Sequence, residues 1–381
     1  MMNRRSFCAS FAPLLSIAGG SLSAARGEHW AYFGTYTRKL SKGIYVSRYT
    51  AADGKMGPPE LAGELTNPSW VTVHPKGQYL YAASETGNFQ GQRTGSVAAF
   101  SIDRATGKLS KLNELPSHGT SPCHVIVDGT GRSAVVANYG TGSVACYPIQ
   151  SDGSLGDASS VIQHTGSGPV AARQQGPHAH QAVLSPDNRF VLIPDLGLDK
   201  VMIYRLDPAK ATLEAHEPAF ASTPPGFGPR HLAFHPKGRF AYVIGEMASS
   251  IAAYAFDPAK GSFQQLATIS TLPEGFTGRN STAEIEVHPS GRFLYGSNRG
   301  QDTIAVYAID QSKGTLTMLE QIPSQGKTPR NFKIDPSGDF LFVANQDTDN
   351  IVGFRIDTKT GHLAPTGQTF EVGAPVCIAF L

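Results

Sequence analysis

Short apolar runs alternate with polar turns along almost the whole chain, and the same unit returns six times. Val73-His-Pro-Lys-Gly-Gln-Tyr-Leu-Tyr and Val127-Asp-Gly-Thr-Gly-Arg-Ser-Ala-Val are the first two copies. Leu184-Ser-Pro-Asp-Asn-Arg-Phe-Val-Leu and Phe234-His-Pro-Lys-Gly-Arg-Phe-Ala-Tyr follow. Val287-His-Pro-Ser-Gly-Arg-Phe-Leu-Tyr and Ile334-Asp-Pro-Ser-Gly-Asp-Phe-Leu-Phe complete the set. Each is the end of one apolar strand, a Pro/Gly turn, and a second apolar strand. The turn position recurs at 75, 129, 186, 236, 289 and 336, at intervals of 54, 57, 50, 53 and 47. A period of about 50 residues with four short strands per unit predicts a β-propeller.

The rest of each unit follows the same plan. A third strand is predicted at Ser143–Tyr147, Val201–Tyr204, Ile251–Tyr254, Ile304–Tyr307 and Ile351–Phe354. An Asp-x-x-x-Gly turn follows at Asp103–Gly107, Asp257–Gly261, Asp310–Gly314 and Asp357–Gly361. Fourth strands are expected to begin near Leu109, Leu155, Leu213, Phe263, Leu316 and Leu363. The ends set the blade number. Trp30–Phe33 and Gly43–Tyr49 resemble second and third strands with no first strand before them. Pro375–Phe380 resembles a first strand with nothing after it. Joined, they make a seventh blade and remove the free sheet edges. The fold class is therefore all-β, a seven-bladed propeller of four-stranded blades closed by both termini.

Composition agrees. Gly and Pro together are 67 of 381 residues, so the chain is turn-rich, and 40% is hydrophobic, enough for a large core. The net charge of +2 supplies no basic field, so nucleic acid is not an expected partner.

Residues 1–25 look like a bacterial Tat-type signal peptide: Arg4-Arg5, Ser6-Phe7, a short apolar stretch to Ile17, then small residues at Ser23-Ala24-Ala25. The stretch is broken by Ser, Pro and Gly and is too short to span a membrane. The expectation is export and cleavage, leaving residues 26–381 as one periplasmic or secreted domain, free of the membrane and monomeric. Loss of Arg4 and Arg5 takes the 32 basic residues to 30, against 30 acidic. Cys123, Cys146 and Cys377 then remain. An odd number without CxxC spacing makes no disulfide framework, and buried thiols are expected.

Candidate chemistry emerges from comparing repeats. In a blade the chain runs up the innermost strand, down the second, up the third and down the fourth. The start of the innermost strand and the loop after the second therefore share one face of the ring. His74, His235 and His288 lie in the opposite turn and alternate there with Ser185, Asp335 and Asp128, which marks them as turn chemistry. At the start of the innermost strands stand Ser69-Trp70, Cys123-His124, His180-Gln181, Arg230-His231, Ala283-Glu284, Arg330-Asn331 and Val376-Cys377. His178, two residues before His180, is expected on the same side of an extended segment. The facing loops add Tyr36, Glu85, Asn138, Asp195, Glu246, Asn298, Arg299 and Gln346. Imidazoles, arginines and carboxylates thus converge on one mouth of the channel, a polar ligand site.

Gln175-Gly-Pro-His-Ala-His-Gln181, Gly228-Pro-Arg-His-Leu232, Gly245-Glu246, Ala283-Glu284-Ile285 and Thr328-Pro-Arg-Asn-Phe332 carry a family resemblance. From Trp30 to Leu381 the chain resembles the propeller-type lactonases, which include bacterial 6-phosphogluconolactonases and fungal carboxy-muconate lactonising enzymes. The resemblance implies a lactone or lactone-forming site at one end of the channel, with functional positions at His178, His180, Arg230, Glu246, Glu284 and Arg330. It implies a small-molecule lactone or sugar-acid substrate and no obligatory metal or other cofactor. The signal segment departs from the family pattern, because a phosphorylated sugar lactone is made in the cytosol.

For lactone hydrolysis, His180 or His178 is the expected general base, and Glu246 or Glu284 orients it or replaces it. Arg230 and Arg330 suit an oxyanion, carboxylate or phosphate. Tyr36, Trp70, His124, Asn138, His231, Arg299 and Asn331 are the expected substrate-binding residues. No Gly-x-Ser-x-Gly elbow is present, which disfavours a serine nucleophile. Three other readings stay open: a muconate-type cycloisomerase, a non-enzymatic propeller binding a protein or cell-wall ligand, and a metal held by His178 and His180.

Overall fold

The structure is a computed structural model that describes residues 27–38 and 40–381. The expected signal segment, 1–25, lies outside the described residues. Seven antiparallel sheets form the seven blades of a propeller. The first blade is closed by both ends of the chain: Pro375–Phe380 pairs with Glu28–Thr35, which pairs with Gly43–Thr50. Lys55–Met56 and Glu60–Glu64 complete it on the outside. The other six sheets have four strands each, in chain order from the axis outward. Their innermost strands are Pro68–Val73, Pro122–Val127, Val183–Leu184, Pro229–Phe234, Ser281–Val287 and Pro329–Ile334.

One apolar cluster fills each gap between neighbouring blades. Val71, Leu80 and Ala98 meet Tyr32 and Ile44 between the first and second blades, for example. Phe332 and Val343 meet Tyr295 and Val306 between the sixth and seventh. The second strands carry this packing. They read as near-continuous apolar runs because both faces are covered, as in Tyr79–Ser84 and Phe340–Asn345.

The turn histidines are structural, and they reach further than their own turn. The Nδ1 atoms of His74 and His235 each accept a backbone N–H two residues on, at 3.1 Å. Their Nε2–H groups then donate to carbonyls of the next blade, Gly131 at 3.1 Å and Gly291 at 3.0 Å. His288 does the same to Gly338 at 2.8 Å. The aspartates in this position also bridge blades: Asp128 accepts from Asn188, and Asp335 from Tyr49.

One strand expectation needs correction. The fourth strand of the third blade is Ser160–Gln163, and Leu155 takes part only in an isolated bridge to Ile149. The Asn113 side chain of the neighbouring blade explains the difference. Its amide pairs with both the N–H and the carbonyl of Leu155, at 3.1 and 2.7 Å, and so takes the place of a strand.

Candidate active site

In a straight strand, neighbouring side chains point to opposite faces. Here every innermost strand carries one extra residue near its start, a β-bulge. The register slips between Pro68 and Trp70, Pro229 and His231, Thr282 and Ile285, and Pro329 and Asn331. It slips likewise opposite Asn138 and Thr35. In the fourth blade, pairing shifts by one residue between Ala179 and Val183. The bulges explain why neighbours such as Ser69 and Trp70, or Arg230 and His231, line one chamber together.

That chamber is walled by Ser69, Trp70, Glu85, Cys123, His180, Arg230, His231, Arg330 and Val376. Its free volume of about 10 Å³ suits one water molecule. Behind it, toward the opposite face, the channel widens into a cavity of about 480 Å³. Trp70 borders both spaces, whereas His124, Glu284, Asn331 and Lys333 face the back cavity. The Trp70 ring stacks on His124 at 4.0 Å and meets His231 edge-on at 5.4 Å, forming part of the floor.

Arginines dominate the mouth. Glu246 is held by Arg173 at 2.6 Å, Arg299 at 2.9 Å and Arg230 at 3.1 Å. Burial works against its charge, but Arg299, Arg230 and Arg173 outweigh burial and hold the carboxyl down at about 2. Glu246 is therefore ionised at neutral pH and paired with three arginines. Arg230 is buried and also donates to the Ala283 carbonyl at 3.0 Å. Its own pKa is pulled down to about 10 by burial and by Arg299 and Arg330.

Arg330 differs from the other three. Its guanidinium lies 5.4 Å over the Tyr36 ring, whose hydroxyl donates to Glu85 at 2.8 Å. Among the described residues it makes no side-chain hydrogen bond or ion pair, although it lines the chamber. Its charge is supported at a distance by Tyr36, Glu85 and Glu246 against the cost of burial.

The imidazoles separate by environment. His180 is buried and lines the chamber, and its Nδ1 faces the Cys123 sulfur at 3.9 Å. Among the described residues its Nε2 has no hydrogen-bond partner, and that atom is not sealed from the chamber. Burial first, then Arg230, keeps its pKa well below the usual histidine value, so the ring is neutral at neutral pH. His178 stacks on Tyr139 at 4.6 Å, and its Nδ1 sits 2.9 Å from the Tyr139 carbonyl. It does not border the chamber, so the expected common side of His178 and His180 extends only to their shared contact with Tyr139.

Neither acid orients His180. Glu284 instead accepts from His231 Nδ1 at 2.8 Å, with Asn331 as a further donor. Burial pushes its carboxyl up to about 7, partly opposed by Arg230. Asn138 is fully buried outside the chamber and spends its amide on Ser117 and Ser143. Asn298 and Asn345 donate to the Thr271 and Ser324 carbonyls in the same way, which makes this asparagine a repeat feature. Arg299 pairs with Glu246 and donates to the Thr282 carbonyl at 2.6 Å.

Two parts of the site escaped the repeat comparison. Arg173 lies in the segment between the third and fourth blades, outside the repeating positions. The other is His164, whose buried pair with the expected loop residue Asp195, at 2.6 Å, braces the same region, because Asp195 also accepts the His178 N–H at 2.7 Å. Among the described residues, no group of three or more His, Cys, Asp or Glu has a geometry for holding a metal. No helix among them is long and apolar enough to cross a membrane.

Relatives share this architecture. A 6-phosphogluconolactonase of Bacillus subtilis is 39% identical over 93% of this chain and 99% of its own length. A protein of the same name from Formosa agariphila is 33% identical over 79% of this chain and 85% of its own length. The solved structure of the Pseudomonas aeruginosa periplasmic gluconolactonase PpgL superposes with a TM-score of 0.88. It is 36% identical, and the match covers 93% of this chain and 99% of that one. Residues 30–380 match the family described as Lactonase, 7-bladed beta-propeller, and the chain belongs to that family.

Proposed function

We propose that this protein hydrolyses a sugar-acid lactone of the gluconolactone type in the periplasm. The observation that carries the reading is Arg330, a charged guanidinium at the chamber wall with no anion bonded to it among the described residues. It lines the same chamber as a neutral His180 whose Nε2 has no hydrogen-bond partner among the described residues. Lactone opening needs a base for water and a cation for the oxygen that becomes negative.

In this reading the lactone docks on the arginine-lined mouth with its carbonyl over the chamber. His180 Nε2 takes a proton from water as the water oxygen bonds to the carbonyl carbon. Arg330 holds the oxyanion. The ring C–O bond then breaks, and the imidazolium returns the proton to the ring oxygen. The hydroxy acid leaves as its carboxylate, releasing one proton. The name of the Pseudomonas relative and the signal-like residues 1–25 support a periplasmic location and an unphosphorylated sugar lactone.

A second reading has support from charge. Among the described residues, Arg173, Arg230, Arg299 and Arg330 gather around Glu246 and Glu85 at the mouth, an excess of positive charge that suits an anionic substrate. A lactone bearing a phosphate or carboxylate fits it, as does the closure of a muconate-type acid.

The test is hydrolysis of glucono-δ-lactone, its 6-phosphate and a muconolactone by the purified protein and by His180→Ala, with spontaneous opening subtracted. Turnover of one lactone that falls by about 10²–10⁴ in the variant supports the reading. Absence of turnover across the panel sinks it and leaves the non-catalytic binding propeller.

A further inference from the structure

The innermost strands of three blades carry a continuous chain of hydrogen bonds across the channel floor. Arg230 Nη1 donates to His231 Nε2 at 3.2 Å. That ring nitrogen therefore carries no proton, and the ring N–H is on Nδ1. Nδ1 faces Glu284 Oε1 at 2.8 Å, and the same oxygen accepts the Ile285 N–H at 3.0 Å. The other carboxylate oxygen accepts from the Asn331 side-chain nitrogen. Asn331 cannot reverse its amide without losing the Ile378 N–H, which its oxygen accepts at 2.9 Å.

Glu284 thus meets only donors. A proton on either oxygen displaces one of them. With the proton on Oε1, the oxygen that His231 faces, His231 loses the acceptor that fixes its tautomer, and a proton moved to Nε2 opposes Arg230 Nη1. Arg230 keeps Glu246 and the Ala283 carbonyl but loses its third contact.

The two ends of this chain open on different spaces. Arg230 and His231 border the front chamber, while Glu284 and Asn331 border the back cavity. Protons reach Glu284 from the face opposite the mouth, even with a lactone seated. We propose that Glu284 is a positioning residue that acts through His231 on Arg230, and that its ionisation, set through the back cavity, decides whether Arg230 is held for catalysis. This rests on the lactonase reading of the mouth.

The surroundings of Glu284 fix the direction of the effect. Burial disfavours its charge most, and Glu284 in turn disfavours the charge of Glu286 on the same strand. Arg230 and His231 face it from the fifth blade, and Lys333 and Asn331 from the seventh. The Cys377 thiol faces it from the first, with its own pKa pushed up by burial. The result is a carboxyl at about 7, so acidification below neutrality protonates it.

The test compares pH profiles of kcat and kcat/KM for the natural protein, Glu284→Gln and Glu284→Asp. The expected natural profile falls on the acid side of about pH 7 in both parameters, since the substrate does not cover Glu284. Glu284→Gln lowers kcat by about 10–100-fold and loses that acid limb, and Glu284→Asp recovers part of both. An acid limb that survives in Glu284→Gln, or a flat natural profile, overturns the proposal. Nitrogen-15 NMR of the histidines needs no lactone and no variant. His231 should show a protonated Nδ1 above neutrality and a change near pH 7. A fixed tautomer across that range overturns the chain even in a protein that turns over no lactone. Absent turnover with a His231 tautomer that changes near pH 7 instead overturns the lactonase reading alone.

Discussion

Arg230 and His231 are consecutive residues of one β-strand, yet both side chains line the same chamber and touch each other at 3.2 Å. A one-residue bulge between Pro229 and His231 makes this possible. The same bulge in every blade turns a ring of strands into a ring of paired side chains. Chemistry then depends on which residues occupy those pairs.

Arg330 is expected to matter for turnover rather than for folding, because among the described residues no group is hydrogen-bonded or ion-paired to its guanidinium. Arg330→Met should lower kcat by about 10²–10³ with an unchanged melting temperature. Steady-state kinetics beside thermal unfolding checks this. An active Arg330→Met would place the oxyanion elsewhere.

Glu246 has the opposite profile. Glu246→Gln leaves the buried Arg230 and the largely buried Arg299 without their counter-charge, and breaking a buried pair costs about 3–5 kcal/mol. Urea unfolding should show that loss together with weakened activity. The pKa of Glu246 is depressed, so its stabilisation is present above the ordinary carboxylate range. It is lost as pH falls from about 4.5 toward about 2.

Glu284 predicts a divergence between stability and activity. Its folded pKa is raised, so the folded state binds more protons than the unfolded chain between about 4.5 and about 7. Stability should therefore decline as pH rises through that window, while turnover increases. Melting curves at both ends of the window, with Glu284→Gln as control, check the sign. The variant should gain most in melting temperature at the alkaline end. An equal gain at both ends would contradict it.

The turn histidines supply the control for the site histidines. His235→Ala removes two hydrogen bonds in the turn and should cost about 1–3 kcal/mol, leaving kcat/KM unchanged. Gly131→Ala should cost more. Gly131 has φ of +72°, and an added Cβ would lie 2.3 Å from His74 Nε2. A change in lactone kinetics without loss of stability in either variant would mean that these turns communicate with the mouth.

The sequence determined the propeller, because blade packing is a periodic requirement. Every repeat must present apolar second strands and a Pro/Gly turn, and those positions recur without any knowledge of contacts. The unpaired strands at Trp30 and Pro375 likewise required a shared blade. His74, His235 and His288 recur at one turn position, whereas His180 and His231 stand at innermost-strand positions that differ from blade to blade. Tertiary structure decided which groups meet. Glu246 and Glu284 look equivalent in the chain, yet one pairs with three arginines and the other is hydrogen-bonded by a buried imidazole, an amide and a backbone N–H. Their carboxyls consequently sit at about 2 and about 7. Arg173 joined the site from a connection with no repeat to mark it. Periodicity reports what each blade must share, whereas a site is built from contacts between blades at the ring's axis, and no spacing along one blade encodes them.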